Sequence, residues 1–496
     1  MQKVFDNPAK LEALAKQKYG FPDFIMMENA ALAIKNLLLE LKNSAAECLI
    51  LCGKGNNGGD GYALARLIMQ DFTPLVFSLE QPTAKEAIVQ YQMCQKLGVK
   101  FLTQKQLNVF FKQASNTQNP TQTFIVDCLY GTGFKGELPS QVSKIIKAAN
   151  NTNAIKIACD IPTALSFNAH YTVTMGEQKL ALFSDKAKQA CGKIIVADLG
   201  ITKELFENQE LLPAAFLIED QDCKLPLRTN KAAHKGTYGH TAVFAGNKSG
   251  AAIICATAAM DFGSGLTTII KQEKSNLAQF KISPELMISR EIPSKTTCIV
   301  LGPGSENLQP QTAQAIEQWW FNKNNKTPAA VFDAGMFGDL NFVTLLHKLN
   351  TKKDSRIILT PHLAELVRFC SLQPDNFTFK NITIKELAEN PQTKIEVGKA
   401  ICKIFPNTTI VIKSANTFIC TQQSVFIVTD GSPSLAKGGS GDVLAGMLAS
   451  LLAQGYSTKD AAITACQIHA KASKIHGPNS YDLSPNKILK IISKIN

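Results

Sequence analysis

Two glycine-rich segments, far apart in this chain of 496 residues, have the composition of phosphate-binding turns. The first, GKGNNGGDG (53–61), follows an apolar run and places Gly53, Gly55 and Gly58 in the G-x-G-x-x-G spacing of dinucleotide-binding turns. Glycines let the backbone approach a pyrophosphate, and the N-terminus of the next helix stabilises its charge. The second, GSPSLAKGGSGD (431–442), precedes an apolar helical pattern. Each segment predicts an anion-binding turn.

The first segment also contains Asn56, Asn57 and Asp60, which a simple phosphate cradle does not need. Their oxygens suit a hard cation, and the amide nitrogens can hold a ligand. The alternative is a plain helix start, with turn asparagines and Asp60 as the cap. Two further predicted strands end in carboxylates, Asp127 and Asp160. Because ligands of open α/β sheets bind at the carboxyl ends of the strands, these groups are expected to share one crevice.

In the second segment, Gly438, Gly439 and Gly441 leave backbone N–H groups open where a helix is predicted to begin, near Asp442. This pattern predicts an anion hole, with Asp442 placed to take a proton from a hydroxyl group that attacks phosphate. The alternative is a glycine-rich loop in which Asp442 only caps the helix.

Short apolar runs alternate with helical patterns in both halves, which predicts two α/β units with parallel sheets covered on both faces. The alternation lapses over 207–230, so we place the boundary near Pro226, with domains at 1–222 and 223–496. The predicted strands are 47–53, 73–78, 123–131, 155–160, 171–175 and 192–198, then 240–246, 296–304, 328–335, 356–361, 408–414 and 416–421.

Composition favours a soluble, cytoplasmic protein. Hydrophobic residues make up 45% of the chain and charged residues 19%, which excludes disordered and collagen-like classes. We expect no signal peptide or membrane span, since the longest apolar run (251–260) is about half the ~20 residues that a span needs. Thirteen singly spread cysteines without a C-x-x-C pair predict reduced thiols, with neither zinc nor disulfides.

The net charge of +12 raises the question of a nucleic-acid partner. The lysines are scattered, and the densest basic cluster, around Lys348 and Arg356, has no aromatic ladder beside it. A solvated basic surface that attracts anionic small molecules is therefore favoured over a nucleic-acid site.

Five segments of the first half, in order, resemble the NAD(P)H-hydrate epimerase domain: GKGNNGGDG, VDCLYGTGFKGEL, CDIPTAL, TVTMGEQK and VADLGI, over roughly residues 1–220. The resemblance implies a Rossmann-like domain that interconverts the R and S hydrates of NADH and NADPH beside a potassium ion. By position, Asn57, Asp127 and Thr163 would hold the potassium, and Asp160 would act as the acid/base. The implied substrate contacts are Asn56, Asn57, Gly58, Gly59, Asp60, Gly131, Thr132, Gly133, Phe134, Lys135, Gly136, Glu137 and Asp160.

One position departs from this pattern. The family usually has Ser-Gly after Ile-Pro, where this chain has Thr163 and Ala164. Thr163 keeps a hydroxyl group for potassium, but alanine is expected not to take the positive φ that glycine allows. This change leaves open a weakened epimerase half.

The second glycine-rich segment looks like that of ribokinase-type kinases. Together with KGTYGH, AGNKSGAAIICATAAM, LGPGS, FDAG, ILTPHLAEL and VIKSANTFI, it resembles the ADP/ATP-dependent NAD(P)H-hydrate dehydratase over about residues 225–496. The resemblance implies a ribokinase-like fold, phosphorylation of the ring hydroxyl by ADP or ATP, then elimination that restores the nicotinamide. Magnesium is expected with the nucleotide phosphates.

The same resemblance implies two sets of contacts. For His362 the alternative is a simple helix cap in its Thr-Pro-His turn. The hydrate contacts would be Ala252, Gly304, His362 and Asp442, and the nucleotide contacts Lys413, Ser414, Ala415, Asn416, Thr417, Gly438, Gly439 and Gly441, within 413–417 and 432–441.

The sequence therefore predicts two doubly wound parallel-sheet domains, Rossmann-like and then ribokinase-like, that together repair NADHX and NADPHX, the hydrates of NADH and NADPH. One alternative is a ribokinase-type small-molecule kinase fused to a dinucleotide-binding domain, and another is a non-catalytic scaffold. ADP is preferred to ATP as co-substrate. We also expect a homo-oligomer, to which the amphipathic N-terminal helix around Leu11 and Leu14 contributes.

Overall fold

The computed structural model describes residues 1–43, 46–116, 123–207 and 211–495. Its chain divides into an N-terminal unit, Lys3–Ala214, and a C-terminal unit that comprises Ala215–Asn496 and Met1–Gln2. This division lies before the expected boundary at 222/223. The reason is that Phe216 and Leu217 form a strand paired with Phe426 and Ile427 of the second unit. No helix in the described ranges is both long enough and apolar enough to span a membrane.

The N-terminal unit is built on a parallel seven-stranded sheet of order β4-β3-β2-β5-β6-β7-β9. A short parallel pair, β1 with β8, is separate from it. The strands are β1 (Gln2–Phe5), β2 (Glu47–Cys52), β3 (Thr73–Ser78), β4 (Lys100–Phe101), β5 (Thr123–Cys128), β6 (Ile155–Cys159), β7 (Tyr171–Met175), β8 (Gln178–Lys179) and β9 (Lys193–Ala197). The helices are α1 (Pro8–Tyr19), α2 (Asp23–Leu41), α3 (Asn56–Leu67), α4 (Lys85–Lys96), α5 (Gln104–Ser115), α6 (Ser140–Asn150), α7 (Asp185–Ala190) and α8 (Lys203–Glu207).

Strand β2 shows why this sheet is covered on both faces. Side chains alternate along a strand, and here both sets are apolar. Cys48, Ile50 and Cys52 join one buried cluster, which includes residues of α2 and α3. Leu49 and Leu51 join another, which includes residues of α5 and α6. A continuous apolar run therefore becomes a central parallel strand.

The C-terminal unit has the strand order β13-β12-β11-β14-β15-β16-β17-β18-β19-β10. Pairing is parallel from β13 to β17, antiparallel from β17 through β18 to β19, and parallel between β19 and β10. The strands are β10 (Ala215–Leu217), β11 (His240–Ala245), β12 (Leu266–Lys271), β13 (Met287–Ser289), β14 (Cys298–Leu301), β15 (Ala329–Phe332), β16 (Arg356–Leu359), β17 (Thr408–Ile412), β18 (Thr417–Cys420) and β19 (Val425–Val428). The helices are α9 (Ser249–Asp261), α10 (Pro310–Trp320), α11 (Leu340–Asn350), α12 (Leu363–Ser371), α13 (Ile384–Glu389), α14 (Pro391–Ile404), α15 (Ser440–Ala453), α16 (Thr458–His476) and α17 (Pro485–Ile492).

Helices α9 and α15 cross closely in the core of the second unit. A Cβ atom on Gly446 would lie 2.2 Å from the Cys255 carbonyl oxygen and 2.7 Å from the Ala258 Cβ. Glycine at this position therefore lets the two backbones approach each other. The crossing fixes the start of α15, where the second glycine-rich segment lies.

All twelve predicted strands are present, which confirms the alternation that the sequence indicates. The predicted fold class of two α/β units with parallel sheets is also confirmed. Strand β12 was not predicted because its threonines, Thr267 and Thr268, interrupt the apolar run, although both are buried.

Candidate active sites

A cavity of about 530 Å³ opens at the carboxyl ends of the central strands of the N-terminal unit. The turn before α3 forms one wall and the loop after β5 another. Residues of α1 and α2 also line it, together with Asp160, Met175 and Leu199. The predicted site residues in its wall are Asn56, Asn57, Asp60, Gly131, Thr132, Gly133, Phe134 and Asp160.

Two glycines make the first turn fit under this cavity. A Cβ atom on Gly53 would lie 1.9 Å from the Leu129 carbonyl oxygen, and one on Gly58 would lie 1.9 Å from that of Gly53. No side chain fits at either position. The cap residue of α3 is Gly55, which makes no side-chain hydrogen bond, so the first N–H groups of the helix lie at the cavity.

Asp160 follows β6 and is fixed by three contacts. Its Oδ1 lies 2.6 Å from the Lys179 Nζ, its Oδ2 accepts a hydrogen bond from the Thr132 N–H at 3.3 Å, and its own N–H donates to the Val173 carbonyl at 2.7 Å. Its φ is +68°, a left-handed conformation that Asp adopts more readily than most residues. The backbone thus turns the carboxylate into the cavity.

Lys179 is buried and carries the opposite charge. Its Nζ also lies 3.5 Å from a carboxylate oxygen of Glu177 and donates to Thr174 and Met175. Burial disfavours the ammonium form, but the carboxylates of Asp160 and Glu177 outweigh this and raise the Lys179 pKa. Burial raises the pKa of Glu177 to about 8. The ion pair of Asp160 with Lys179 is therefore the charged centre of this site.

Asp60 does not cap a helix, so that alternative is wrong. Helix α3 begins at Asn56, and Asp60 lies one turn inside it, nearly buried. Burial raises the Asp60 pKa, and the Cys159 thiol donates to its Oδ2 at 3.7 Å. Helix capping therefore does not explain why the Asp60 carboxyl group is buried inside α3.

Asp127 and Thr163 lie buried below the cavity. The Thr163 N–H and hydroxyl both donate to the Asp127 carboxylate at 2.8 Å, and the Leu129 N–H donates to it at 3.1 Å. Burial raises the Asp127 pKa to about 6, against these hydrogen bonds. The amide group of Asn57 is also buried, and no hydrogen-bond partner for it is found among the described residues. The three residues thus offer carboxylate, hydroxyl and amide oxygens, and the amide oxygen is uncommitted among the described residues.

The expectation that Ala164 would avoid a positive φ is wrong. Its φ is +50°, and that of Leu165 is also +50°. The neighbouring contacts of Thr163 with Asp127 hold the loop in this shape, and the Lys186 ammonium donates to the Ala164 carbonyl at 3.0 Å. The loop therefore keeps its left-handed turn without the family's glycine.

The other predicted residues of this half lie outside the cavity wall. Gly58 and Gly59 are buried in the first turns of α3, where they pack against Gly53 and Met27. Lys135, Gly136 and Glu137 lie on the exposed continuation of the loop after β5. Sequence reasoning missed Glu12 and Lys179. TVTMGEQK does end in Lys179, but only the structure shows its pairing with Asp160.

In the C-terminal unit, the second glycine-rich segment ends at the start of α15. The helix begins at Ser440, and its cap residue Gly439 has a φ of +91° and no side-chain hydrogen bond. Asp442 lies in the first turn, where its charge faces the positive end of the helix. The capping alternative for Asp442 is therefore wrong, because Gly439 occupies the cap position.

Asp333 and Lys413 form an ion pair beside this turn. Asp333 follows β15 and Lys413 follows β17, and their Oδ1 and Nζ atoms lie 2.7 Å apart. A Cβ atom on Gly441 would lie 3.6 Å from the Lys413 Nζ. Burial raises the pKa of Asp442 to about 7, the negative charge of Asp333 adds to the rise, and Lys413 opposes it. Asp442 is therefore a carboxyl group poised to exchange a proton near neutral pH.

Residues predicted to contact the hydrate differ in their accessibility. His362 caps α12: its Nδ1 accepts from the Glu365 N–H at 3.3 Å, and its own N–H donates to the Glu365 carboxylate at 2.8 Å. The capping alternative is thus observed, while half of the side chain stays exposed. Gly304 has a φ of +70° and packs against Lys248. Ala252 is fully buried in the core, so its methyl group is not exposed to a ligand.

The loop 413–417, predicted to contact the nucleotide, is anchored by hydrogen bonds of the Ser414 hydroxyl. The Ser414 hydroxyl donates to the Asn416 carbonyl at 2.7 Å and accepts from the buried ammonium group of Lys394 at 2.8 Å. Ala415 is exposed, Ser414 and Thr417 are half-buried, and Asn416 is buried. Gly438 is exposed at the other segment.

Sequence reasoning missed Asp333, although its motif FDAG was noted. The rule that selected Asp127 and Asp160, a carboxylate at the end of a buried strand, would also have selected Asp333.

Comparison with known proteins assigns both halves. Residues 23–181 match the family model described as YjeF-related protein N-terminus, and residues 241–494 match that of NAD(P)H-hydrate dehydratase. A Bacillus subtilis ADP/ATP-dependent NAD(P)H-hydrate dehydratase, co-crystallised with ATP and Mg²⁺, is 23% identical in structural alignment. That alignment covers 53% of this chain and 91% of the other, with a TM-score of 0.43.

Relatives also match over the full length. The bifunctional NAD(P)H-hydrate repair enzyme Nnr of Helicobacter pylori is 35% identical over 505 aligned residues, which cover 100% of both chains. The Nnr of Moorella thermoacetica is 28% identical, over 93% of this chain and 90% of its own. These matches confirm the resemblance inferred from the motifs. The chain belongs to the family of bifunctional NAD(P)H-hydrate repair enzymes, which join an epimerase to an ADP/ATP-dependent dehydratase.

Proposed function

We propose that residues 1–222 epimerise the R and S forms of NADHX and NADPHX, and that residues 223–496 dehydrate the S form with ADP or ATP. One observation carries this proposal. In each unit a strand-end carboxylate forms an ion pair with a buried or largely buried lysine, next to a glycine-rich helix start. Such helix starts suit the phosphates of dinucleotides and nucleotides, and the paired carboxylates suit proton transfer.

In the epimerase half, Asp160 acts as an acid/base on the reacting nicotinamide ring. Its ion pair with Lys179 and its contact with the Thr132 N–H support this role, because they hold the carboxylate in a fixed orientation at the cavity. The open N–H groups at the start of α3 receive the pyrophosphate. The exposed loop Lys135–Glu137 contacts the dinucleotide at the cavity rim.

Asn57, Asp127 and Thr163 would hold a potassium ion. The donor chemistry fits, because these residues offer carboxylate, hydroxyl and amide oxygens, and the buried Asn57 amide has no hydrogen-bond partner in the described part of the chain. The ion would supply positive charge below the pyrophosphate turn. Replacing potassium by tetramethylammonium is expected to lower the thermal stability of the N-terminal unit and its epimerase rate. Equal stability in both salts would contradict this assignment.

In the dehydratase half, Asp442 takes the proton of the ring hydroxyl as that oxygen attacks the terminal phosphate of the nucleotide. The glycine-rich turn 438–441 receives the phosphate charge, and the loop 413–417 contacts the nucleotide. Magnesium, which nucleotide phosphates ordinarily carry, would neutralise the charge on them. His362 and Gly304 border the hydrate, and Ala252 contributes only through the backbone of α9.

The direct test adds purified protein to S-NADHX and ADP and follows reduced-nicotinamide absorbance. The absorbance is expected to return with the wild type and to stay absent with Asp442→Asn, because the attacking hydroxyl then has no base. The matched control is Asp339→Asn, a helix-capping carboxylate of α11 in the same unit. No recovery by the wild type with either ADP or ATP would contradict the dehydratase assignment. Accumulation of a phosphorylated product without elimination would favour the kinase alternative.

We further propose cytoplasmic location and ADP as the preferred nucleotide, with no nucleic-acid partner and a homo-oligomeric state. In the basic cluster noted above, Lys348 pairs with Glu317 at 2.9 Å, and Arg356 donates to the carbonyls of Leu452 and Tyr456. Internal contacts thus account for much of that cluster. Parallel rate measurements with ADP and ATP test the nucleotide preference, and light scattering tests the oligomeric state.

A further inference from the structure

The epimerase cavity contains a second carboxyl group that could react. Glu12 reaches the cavity wall from α1, whereas Asp160 reaches it from the end of β6. Glu12 is half-buried between Leu11 and Ala15, which anchor the helix in the core. A carboxyl group in the wall of a cavity of this size meets whatever the cavity binds.

The two carboxyl groups lie in different surroundings. Asp160 is ion-paired with the buried Lys179 at 2.6 Å. No ion pair of Glu12 is found among the described residues, and burial raises its pKa, with Lys179 opposing and Asp160 adding to the rise. Two carboxyl groups whose surroundings differ in this way are the usual arrangement for one acid and one base.

Epimerisation of a ring hydrate requires such a pair. The R and S forms differ at the ring carbon that bears the hydroxyl group, next to the ring nitrogen. To invert this carbon, its C–O bond must break on one face and a new C–O bond must form on the other. The leaving oxygen needs a proton, and the incoming water must lose one.

We infer that Glu12 is a second catalytic residue of the epimerase and works opposite Asp160. This inference rests on the proposed function of the N-terminal unit. The Glu12 carboxyl donates its proton to the leaving hydroxyl, which departs as water with the bonding electron pair, and the ring nitrogen supplies electrons to the carbon. A water molecule on the other face bonds to the carbon and gives its proton to Asp160. The reverse inversion restores both protonation states, and solvent restores them between turnovers.

The first experiment measures epimerisation with Glu12→Gln. We expect kcat to fall by ~10²-fold or more, because the amide cannot donate the proton. Glu12→Asp keeps a carboxyl group and is expected to retain part of the rate. The matched control is Glu47→Gln, since Glu47 is exposed at the start of β2 and does not line the cavity. The control is expected to stay within threefold of wild type, a margin well below the ~10²-fold effect. A Glu12→Gln rate as high as that of the control would overturn the inference.

The second experiment uses wild-type protein in oxygen-18 water, so it does not depend on a variant that folds. Each inversion is expected to place one solvent oxygen on the ring carbon. Inversion that retains the original oxygen would overturn the inference, because no water would then leave or enter. Dehydration of S-NADHX by the same chain reports an intact C-terminal unit. If the wild type epimerises neither hydrate, the proposed function itself fails, which is a different result from a fully active Glu12→Gln variant.

Discussion

In both units, the carboxyl group proposed to transfer a proton lies near a lysine. In the N-terminal unit the lysine pairs directly with the proposed acid/base, Asp160. In the C-terminal unit Lys413 pairs with Asp333, and the proposed base Asp442 lies near that pair. Pairing keeps a group ionised, whereas burial next to another carboxylate raises its pKa. Lysine and aspartate side chains are thus arranged differently around the two proposed proton-transfer groups.

This difference predicts the pH dependence of dehydration. Asp442 must be deprotonated to act as a base, and its pKa is raised to about 7. The kcat/KM for S-NADHX is therefore expected to be constant at high pH and to fall about tenfold per pH unit below that value. Initial rates between about pH 6 and pH 9 at saturating ADP measure this. A profile that is flat across this range would contradict the role of Asp442.

Individual site residues could be predicted where they follow a buried strand or lie in a glycine-rich turn. Asn57 and Asp160, which line the cavity, and Asp442, in the first turn of α15, were predicted in this way. Lys179 and Glu12 were not predicted, because Lys179 lies in the two-residue strand β8 and Glu12 lies in helix α1, which precedes the sheet in the chain. Their place at the cavity depends on tertiary contacts that no local pattern contains.

At the scale of elements, close backbone approaches fix the glycine-rich turns. Gly446 allows α15 to cross α9, and Gly53 allows the first turn to pass under Leu129. Strand positions were predicted well because a run buried on both faces is continuously apolar. The antiparallel pairing of β18 and β19 could not be predicted in this way. The direction in which two strands pair depends on the segment that connects them and not on the sequence of either strand.

Gly446→Ala is expected to destabilise the C-terminal unit by about 1–3 kcal/mol, because the added methyl group would meet the backbone of α9. Urea unfolding followed by tryptophan fluorescence measures this, since Trp319 and Trp320, the two tryptophans of the chain, both lie in this unit. Gly250→Ala is the control. Its methyl group would have ordinary contact, at 3.4 Å from Phe280. Equal urea midpoints for Gly446→Ala and wild type would contradict this prediction, because they would show that α9 moves to accommodate the methyl group.

At the scale of the whole molecule, the chain has two compact units, and each has its own sheet order and its own candidate site. The cavity of the N-terminal unit is lined entirely by residues of that unit. Asp333, Lys413 and Asp442 all belong to the other. Each reaction is therefore expected to proceed without residues from the other unit.

A mixing experiment tests this independence. Asp160→Asn should repair only the S hydrate, and Asp442→Asn should repair neither but still epimerise. Mixed in equal amounts, the two proteins are expected to convert an R and S mixture completely to NADH, because the free hydrate passes between them. The final absorbance, compared with wild type, measures this. Incomplete conversion at long times would indicate that one chain must hold both sites.

The turn at Asp160–Leu165 has a consequence for how such sites are detected. Three non-glycine residues there, Asp160, Ala164 and Leu165, adopt left-handed backbone conformations, each at a cost of about 1–2 kcal/mol. The contacts of Thr163 with Asp127, a residue of a different strand, hold this shape. The conformation of this loop is thus held by a residue that lies outside the loop. A search that compares only the amino-acid sequence of this loop would discard the site, because the loop lacks glycine. A search that also requires the Asp127 carboxylate would retain it.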